Sequence, residues 1–82
     1  MRVSINNPEL FSTIFETETN SRLHRPVTGV STDSREIKDG DLYIAIKGDR
    51  VDGHQFLNQV LLDGAVAALV CDINNEIDIQ QI

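Results

Sequence analysis

Leu10, Phe11, Ile14 and Phe15 recur at helical spacing immediately after Asn6-Asn7-Pro8-Glu9. Asn7 suits the capping position and Pro8 the first helical position, so a helix starts here and is expected to end near Glu16–Glu18. Residues 19–26 are polar, and Pro26 disfavours helix at Arg25, so this stretch reads as a connection. Val27 to Thr32 carries β-branched residues in rough alternation and predicts a short strand. Asp33 to Asp41 is polar, with a turn signal at Lys38-Asp39-Gly40-Asp41. Leu42 to Ile46 is a near-continuous apolar run, as expected of a strand buried on both faces. After the loop Lys47-Gly48-Asp49-Arg50, a second helix is expected from Asp52 or Gly53. Phe56, Leu57, Val60 and Leu61 make its apolar face, and Asp63-Gly64 closes it. Ala65 to Cys71 is a third strand, apolar throughout. A polar loop, Asp72 to Asp78, leads to Ile79–Ile82.

Strand, helix and strand of the buried type make a βαβ unit with a right-handed crossover. The expected fold class is therefore α/β: a small sheet with a βαβ unit. The N-terminal helix would cover the sheet's other face or an edge. A chain of 82 residues holds a single domain, residues 1–82, with a thin core. The run ending at Ile82 carries no stop signal, which suggests a piece of a longer protein.

Charge narrows the functions. Acids outnumber bases 13 to 7, for a net charge of −6. Residues 57–82 hold Asp63, Asp72, Glu76 and Asp78 and no Lys or Arg. Without a basic stripe, no nucleic-acid partner is expected, because such binding draws on Lys and Arg neutralising phosphates. No apolar run reaches membrane-spanning length, so no membrane partner is expected. One cysteine excludes an intrachain disulfide, and a reducing, cytoplasmic setting is expected.

Familiar catalytic patterns are missing. The chain has neither a glycine-lysine phosphate loop nor a G-x-G-x-x-G turn. His24 and His54 lie thirty residues apart, so no metal site is expected. His54 is expected to face solvent, and Cys71 to pack at a strand end.

Two segments could carry binding chemistry. Thr32-Asp33-Ser34-Arg35 stands where a strand meets a loop. Its hydroxyls and backbone amides could match the donors and acceptors of a flat heterocycle such as uracil. The plainer reading, which residue chemistry alone favours, is that Asp33 and Arg35 pair with each other or with neighbours and Ser34 caps a turn. Lys47-Gly48-Asp49-Arg50-Val51-Asp52-Gly53-His54 lies between a buried strand and a helix N-terminus. Free amides there, with Lys47 and Arg50, would suit a diphosphate. The plainer reading is a βα loop with Asp52 as helix cap.

Taken together, five submotifs occur in order: Gly29-Val30-Ser31-Thr32-Asp33-Ser34-Arg35, Asp39-Gly40-Asp41-Leu42-Tyr43-Ile44-Ala45-Ile46-Lys47-Gly48, Asp52-Gly53-His54-Gln55-Phe56, Gly64-Ala65, and the apolar strand after them. Over residues 27–71 this order closely resembles the N-terminal domain of the Mur ligases, which build the peptidoglycan stem peptide on UDP-N-acetylmuramic acid. The resemblance implies a domain that grips the UDP part of a UDP-N-acetylmuramoyl-peptide partner. It implies that Thr32 and Ser34 lie near uracil and ribose, and that Asp49, Arg50 and Val51 lie in the loop contacting the uridine diphosphate. Asp33, Arg35, Gly48 and Gly53 would be supporting residues. ATP and Mg²⁺ are implied as cofactors of the parent enzyme, held by central and C-terminal ligase domains that this chain lacks. The chain alone is thus expected to be non-catalytic, with no catalytic residue and no metal ligand of its own. The run Lys47 to His54 leans toward the D-alanyl-D-alanine-adding member. The member adding the third residue, diaminopimelate or lysine, is the alternative. A stand-alone uridine-nucleotide-binding module and a purely structural domain are the competing functions.

Overall fold

The computed structural model describes residues 1–82. Five short strands form one sheet in the order β1 (Arg2–Ser4), β2 (Gly29–Ser31), β3 (Asp41–Ile44), β4 (Ala67–Leu69) and β5 (Gln80–Gln81). The strand β1 runs antiparallel to β2, and every other neighbouring pair is parallel. Helix α1 (Pro8–Thr19) connects β1 to β2, and α2 (Leu57–Leu62) connects β3 to β4. The expected α/β sheet with its βαβ unit is therefore present.

The expected caps form. The Asn7 side chain accepts the Leu10 N–H at 3.2 Å, with Pro8 opening α1. The helix runs slightly past Glu18 and ends on Asn20 in the left-handed region, φ 51°. Asp52 caps the second helical segment by accepting the His54 N–H at 3.0 Å. That segment opens as a 3₁₀ turn over Gly53–Phe56 before becoming α2. It is closed by Gly64 at φ +99°, where a Cβ would lie 2.9 Å from the Asp39 Cα. Only glycine takes both that dihedral and that contact.

The helices cover opposite faces of the sheet. Leu57 and Val60 of α2 pack with Tyr43, Ala45, Ala65, Ala68 and Ile79. Phe11 and Phe15 of α1, their rings stacked at 6.0 Å, cover Leu23, Val27, Leu42, Val66 and Ala67. Leu10 and Ile14 depart from the expected apolar face: both are exposed, and α1 instead buries Ser12. The reason is a hydrogen bond, since the Ser12 Oγ accepts the buried Val27 N–H at 2.9 Å. Seating Ser12 against that donor turns Phe11 and Phe15 toward the sheet and leaves Leu10 and Ile14 on the solvent side.

The edge strands β1 and β5 were not expected. They are three and two residues long, too short for an alternation to show. Pairing creates them, and a side chain secures β1. Arg2 reaches across β2 to Asp41 on β3, with Nε 2.7 Å and Nη2 2.8 Å from its two carboxylate oxygens. The fully buried Asp41 carboxylate also accepts the Lys38 N–H at 3.0 Å, so its charge is paired and its lone pairs are used.

Candidate functional site

Parallel strands present their C-terminal ends at one edge, the place where open α/β sheets hold ligands. Here a groove of about 610 Å³ opens between the segment after β2 and the loop after β3. That size suits a small-molecule ligand. The two segments singled out in the sequence meet across it.

One wall is built on β2. The Ser31 Oγ accepts the Asp33 N–H at 3.0 Å and donates to the Asp33 carbonyl at 2.9 Å, which turns the chain sharply at the strand end. A 3₁₀ turn, Ser34–Glu36, follows, and its cap is Asp33 rather than Ser34. Asp33 accepts the Arg35 backbone N–H at 2.9 Å and receives two guanidinium bonds, at 3.0 and 2.9 Å. The Asp33–Arg35 pair of the plainer reading therefore exists. The Arg35 side chain and then its backbone N–H hold the Asp33 carboxyl down at about 2. Ser34 is buried on the groove side, and its hydroxyl is free of intrachain hydrogen bonds. Thr32 lines the groove mouth beside the N-terminal amine, 3.4 Å from its Oγ1.

The other wall is the loop after β3. Gly48 donates to the Val51 carbonyl at 2.9 Å and Gly53 to the Ile46 carbonyl at 2.8 Å, with a bridge between Lys47 and Asp52. The buried Tyr43 hydroxyl donates to the Gly53 carbonyl at 2.9 Å, and burial pushes its pKa up. A Cβ on Gly53 would lie 2.8 Å from both the Ile46 nitrogen and the Tyr43 hydroxyl, so close backbone approach sets this position. Ile46, Val51 and Phe56 add apolar surface to the groove.

Seven sequence-derived site residues thus share the groove: Thr32, Asp33, Ser34, Arg35, Gly48, Val51 and Gly53. Asp49 and Arg50 are exposed at the loop tip and lie outside its lining, as does Lys47. Sequence reasoning missed Tyr43, Ile46 and Phe56, whose apolar runs signalled only core.

Three expectations are corrected. The amides that open the second helical segment are not free for an anion. Gly53 N–H goes to Ile46, His54 N–H to the Asp52 carboxylate and Gln55 N–H to the Asp52 carbonyl. His54 does not face solvent: its ring bonds the Asp52 carboxylate at 2.6 Å, and its side chain is 14% exposed. Cys71 is exposed instead of packed, because the chain leaves the sheet after Leu69. No group of three or more His, Cys, Asp or Glu converges on a common point. No helix is long and apolar enough to cross a membrane.

The family model described as "Mur ligase family, catalytic domain" matches residues 26–81. A UDP-N-acetylmuramoyl-L-alanyl-D-glutamate--2,6-diaminopimelate ligase of Syntrophomonas wolfei is 49% identical over 47 residues, 57% of this chain and 10% of its own length. The ligase of that name from Bacillus velezensis is 40% identical over 57 residues, 68% of this chain and 11% of its own. Among solved structures, the UDP-N-acetylmuramoylalanyl-D-glutamyl-2,6-diaminopimelate--D-alanyl-D-alanyl ligase of Acinetobacter baumannii superposes with a TM-score of 0.71 at 26% identity. It covers 87% of this chain and 17% of that one. The MurF ligase of Thermotoga maritima in complex with ADP gives 0.58 at 32% identity, over 65% of this chain and 12% of its own. The chain spans about a tenth of the length of these curated relatives.

Proposed function

The chain belongs to the Mur ligase family, and we propose that it is the domain gripping the uridine diphosphate end of a UDP-N-acetylmuramoyl-peptide. The observation that carries this reading is the convergence of residues 32–35 with Gly48, Val51 and Gly53 on one groove at the C-terminal edge of the sheet. Ile46, Val51 and Phe56 offer apolar walls to a flat base, and the free Ser34 hydroxyl offers it a donor and an acceptor. Arg35, paired with Asp33, is the lining side-chain cation for the phosphates, beside the Met1 amine. Arg50, outside the lining, contributes only when its exposed side chain turns back over a bound ligand.

Anchoring a remote part of a substrate turns a loose encounter into an oriented one. The ligation itself, phosphorylation of a carboxylate and attack by an amine, belongs to ATP- and Mg²⁺-binding domains of a longer, cytoplasmic parent enzyme. We read that parent as the diaminopimelate-adding ligase rather than the D-alanyl-D-alanine-adding one to which residues 47–54 lean. Supporting this choice are the curated relatives at 40–49% identity, all with the former specificity, against structural neighbours of the latter at 26–32%. Coding sequence beyond codon 82 tests the parentage directly. A glycine-lysine phosphate loop soon after supports it, and a stop codon overturns it.

Titration of the ¹⁵N-labelled chain with UDP tests the binding role. Amide shifts confined to residues 32–35 and 46–53, weakened by Ser34→Ala and Arg35→Ala, are expected. Saturating shifts centred elsewhere, or none at millimolar UDP, overturn it and leave a structural domain.

A further inference from the structure

His54 is the side chain that ties the groove loop to the exit of β4. Its Nε2 accepts the backbone N–H of Cys71 at 3.0 Å and that of Asp72 at 3.4 Å. A backbone amide can only donate, so Nε2 carries no proton. The ring proton therefore sits on Nδ1 and is donated to the Asp52 carboxylate at 2.6 Å. The same Asp52 oxygen accepts the His54 backbone N–H. Asp52 in turn pairs in a bridge with Lys47; Gly48 and Val51 between them, and Gly53 just after, line the groove. One imidazole thus joins two segments seventeen residues apart, one of which is a wall of the candidate site.

We propose that His54 is a proton-gated positioning residue: neutral, it latches the loop of residues 47–53 to residues 71–72, and protonated at Nε2, it releases them. Protonation sets a ring N–H against two amide N–H groups and forfeits both bonds, while the Nδ1 bond to Asp52 survives. The charged group bonded to the ring is Asp52, whose bridge partner is Lys47; Cys71 and Asp72 meet the ring through their backbone amides, and the Tyr43 hydroxyl bonds the neighbouring Gly53 carbonyl. Hydrogen bonds from the backbone and side chain of His54 hold Asp52 below the usual carboxylate range, and burial holds Tyr43 above the usual phenol range. Neither exchanges a proton where imidazoles do. Release relaxes the Val51–Gly53 wall and weakens the groove's hold on uridine diphosphate about threefold to tenfold, the scale of one or two hydrogen bonds. Only this last consequence rests on the uridine diphosphate reading.

The test is ¹⁵N NMR of the whole chain, following the His54 ring together with amide exchange at Cys71 and Asp72 as pH is lowered from about 8 to about 5. Protection of both amides is expected to disappear in step with ring protonation. His54→Gln places an oxygen that does not titrate near the Nε2 position, so it should keep the amides protected at both ends of the range. His54→Ala should leave them unprotected throughout. If that variant fails to fold, the comparison of the native chain with His54→Gln carries the test. Amides that stay protected while the ring titrates, or a ring protonated on Nε2 at neutral pH, overturn the latch. UDP titrations at both pH values should show the threefold to tenfold weakening in the native chain and not in His54→Gln. A chain that binds no UDP at any pH overturns the uridine diphosphate reading, while the amide readout still decides the latch.

Discussion

The two ends of the parallel strands are built on opposite plans. At their N-terminal ends backbone meets backbone. Gly40 donates to the Gly64 carbonyl at 2.9 Å, Gly64 presses on Asp39, and Arg25 bonds both Asp39 and the Gly64 carbonyl. The Arg2 guanidinium reaches Asp41 at the start of β3. At the C-terminal ends the chain turns away on local hydrogen bonds, Ser31 to Asp33 and Gly48 to Val51, and leaves a groove between the turns. A small sheet can thus concentrate its stability at one edge and keep the other open for binding. Residues at the closed edge should control folding, and residues at the open edge should control the ligand.

Substitutions can break this division. The largest effect is expected at the closed edge: Gly64→Val forces a β-branched residue to positive φ against the Asp39 backbone, costing about 3 kcal/mol in urea unfolding. Gly48→Ala at the open edge, where a Cβ would meet only the Val51 carbonyl at 3.2 Å, should cost less than about 1 kcal/mol. Equal losses at the two glycines would refute the division. Ser12→Ala comes next, because it strips the buried Val27 N–H of its acceptor, for about 1–2 kcal/mol by the same measurement.

Tyr43→Phe should be milder, at about 1 kcal/mol, since it removes the single bond to the Gly53 carbonyl. Its larger mark should be on amide shifts of residues 51–53 and on UDP affinity. A variant that loses stability but binds unchanged would assign Tyr43 to the core alone. The smallest effect concerns pH. The Asp33 carboxyl is depressed to about 2, so its pairing with Arg35 is complete above the ordinary carboxylate range and is lost as pH falls through that value. Carbon-detected titration of Asp33 should show this midpoint, and Arg35→Gln should return it toward the usual range. An unmoved midpoint would mean that the backbone N–H, not the guanidinium, holds the charge.

What lay within reach of a local pattern was legible in the sequence. Asn7-Pro8, Asp52 and Gly64 marked helix ends through caps that act within a few residues. The runs at 42–46 and 65–71 marked the buried strands β3 and β4 but overran them: β3 stops at Ile44 and leaves Ile46 exposed, and β4 spans Ala67–Leu69. The two polar segments at 32–35 and 47–54 stood out as loops with binding chemistry. What only the tertiary structure decided acts across the chain. Strands β1 and β5 exist because partners pair with them. Ser12 is turned inward by a donor fifteen residues away, Arg2 finds Asp41 thirty-nine residues on, and His54 meets Cys71 across the sheet's edge. Composition and periodicity carry no record of such partners, because a hydrogen bond between distant residues depends on where the fold brings donor and acceptor, not on their spacing along the chain.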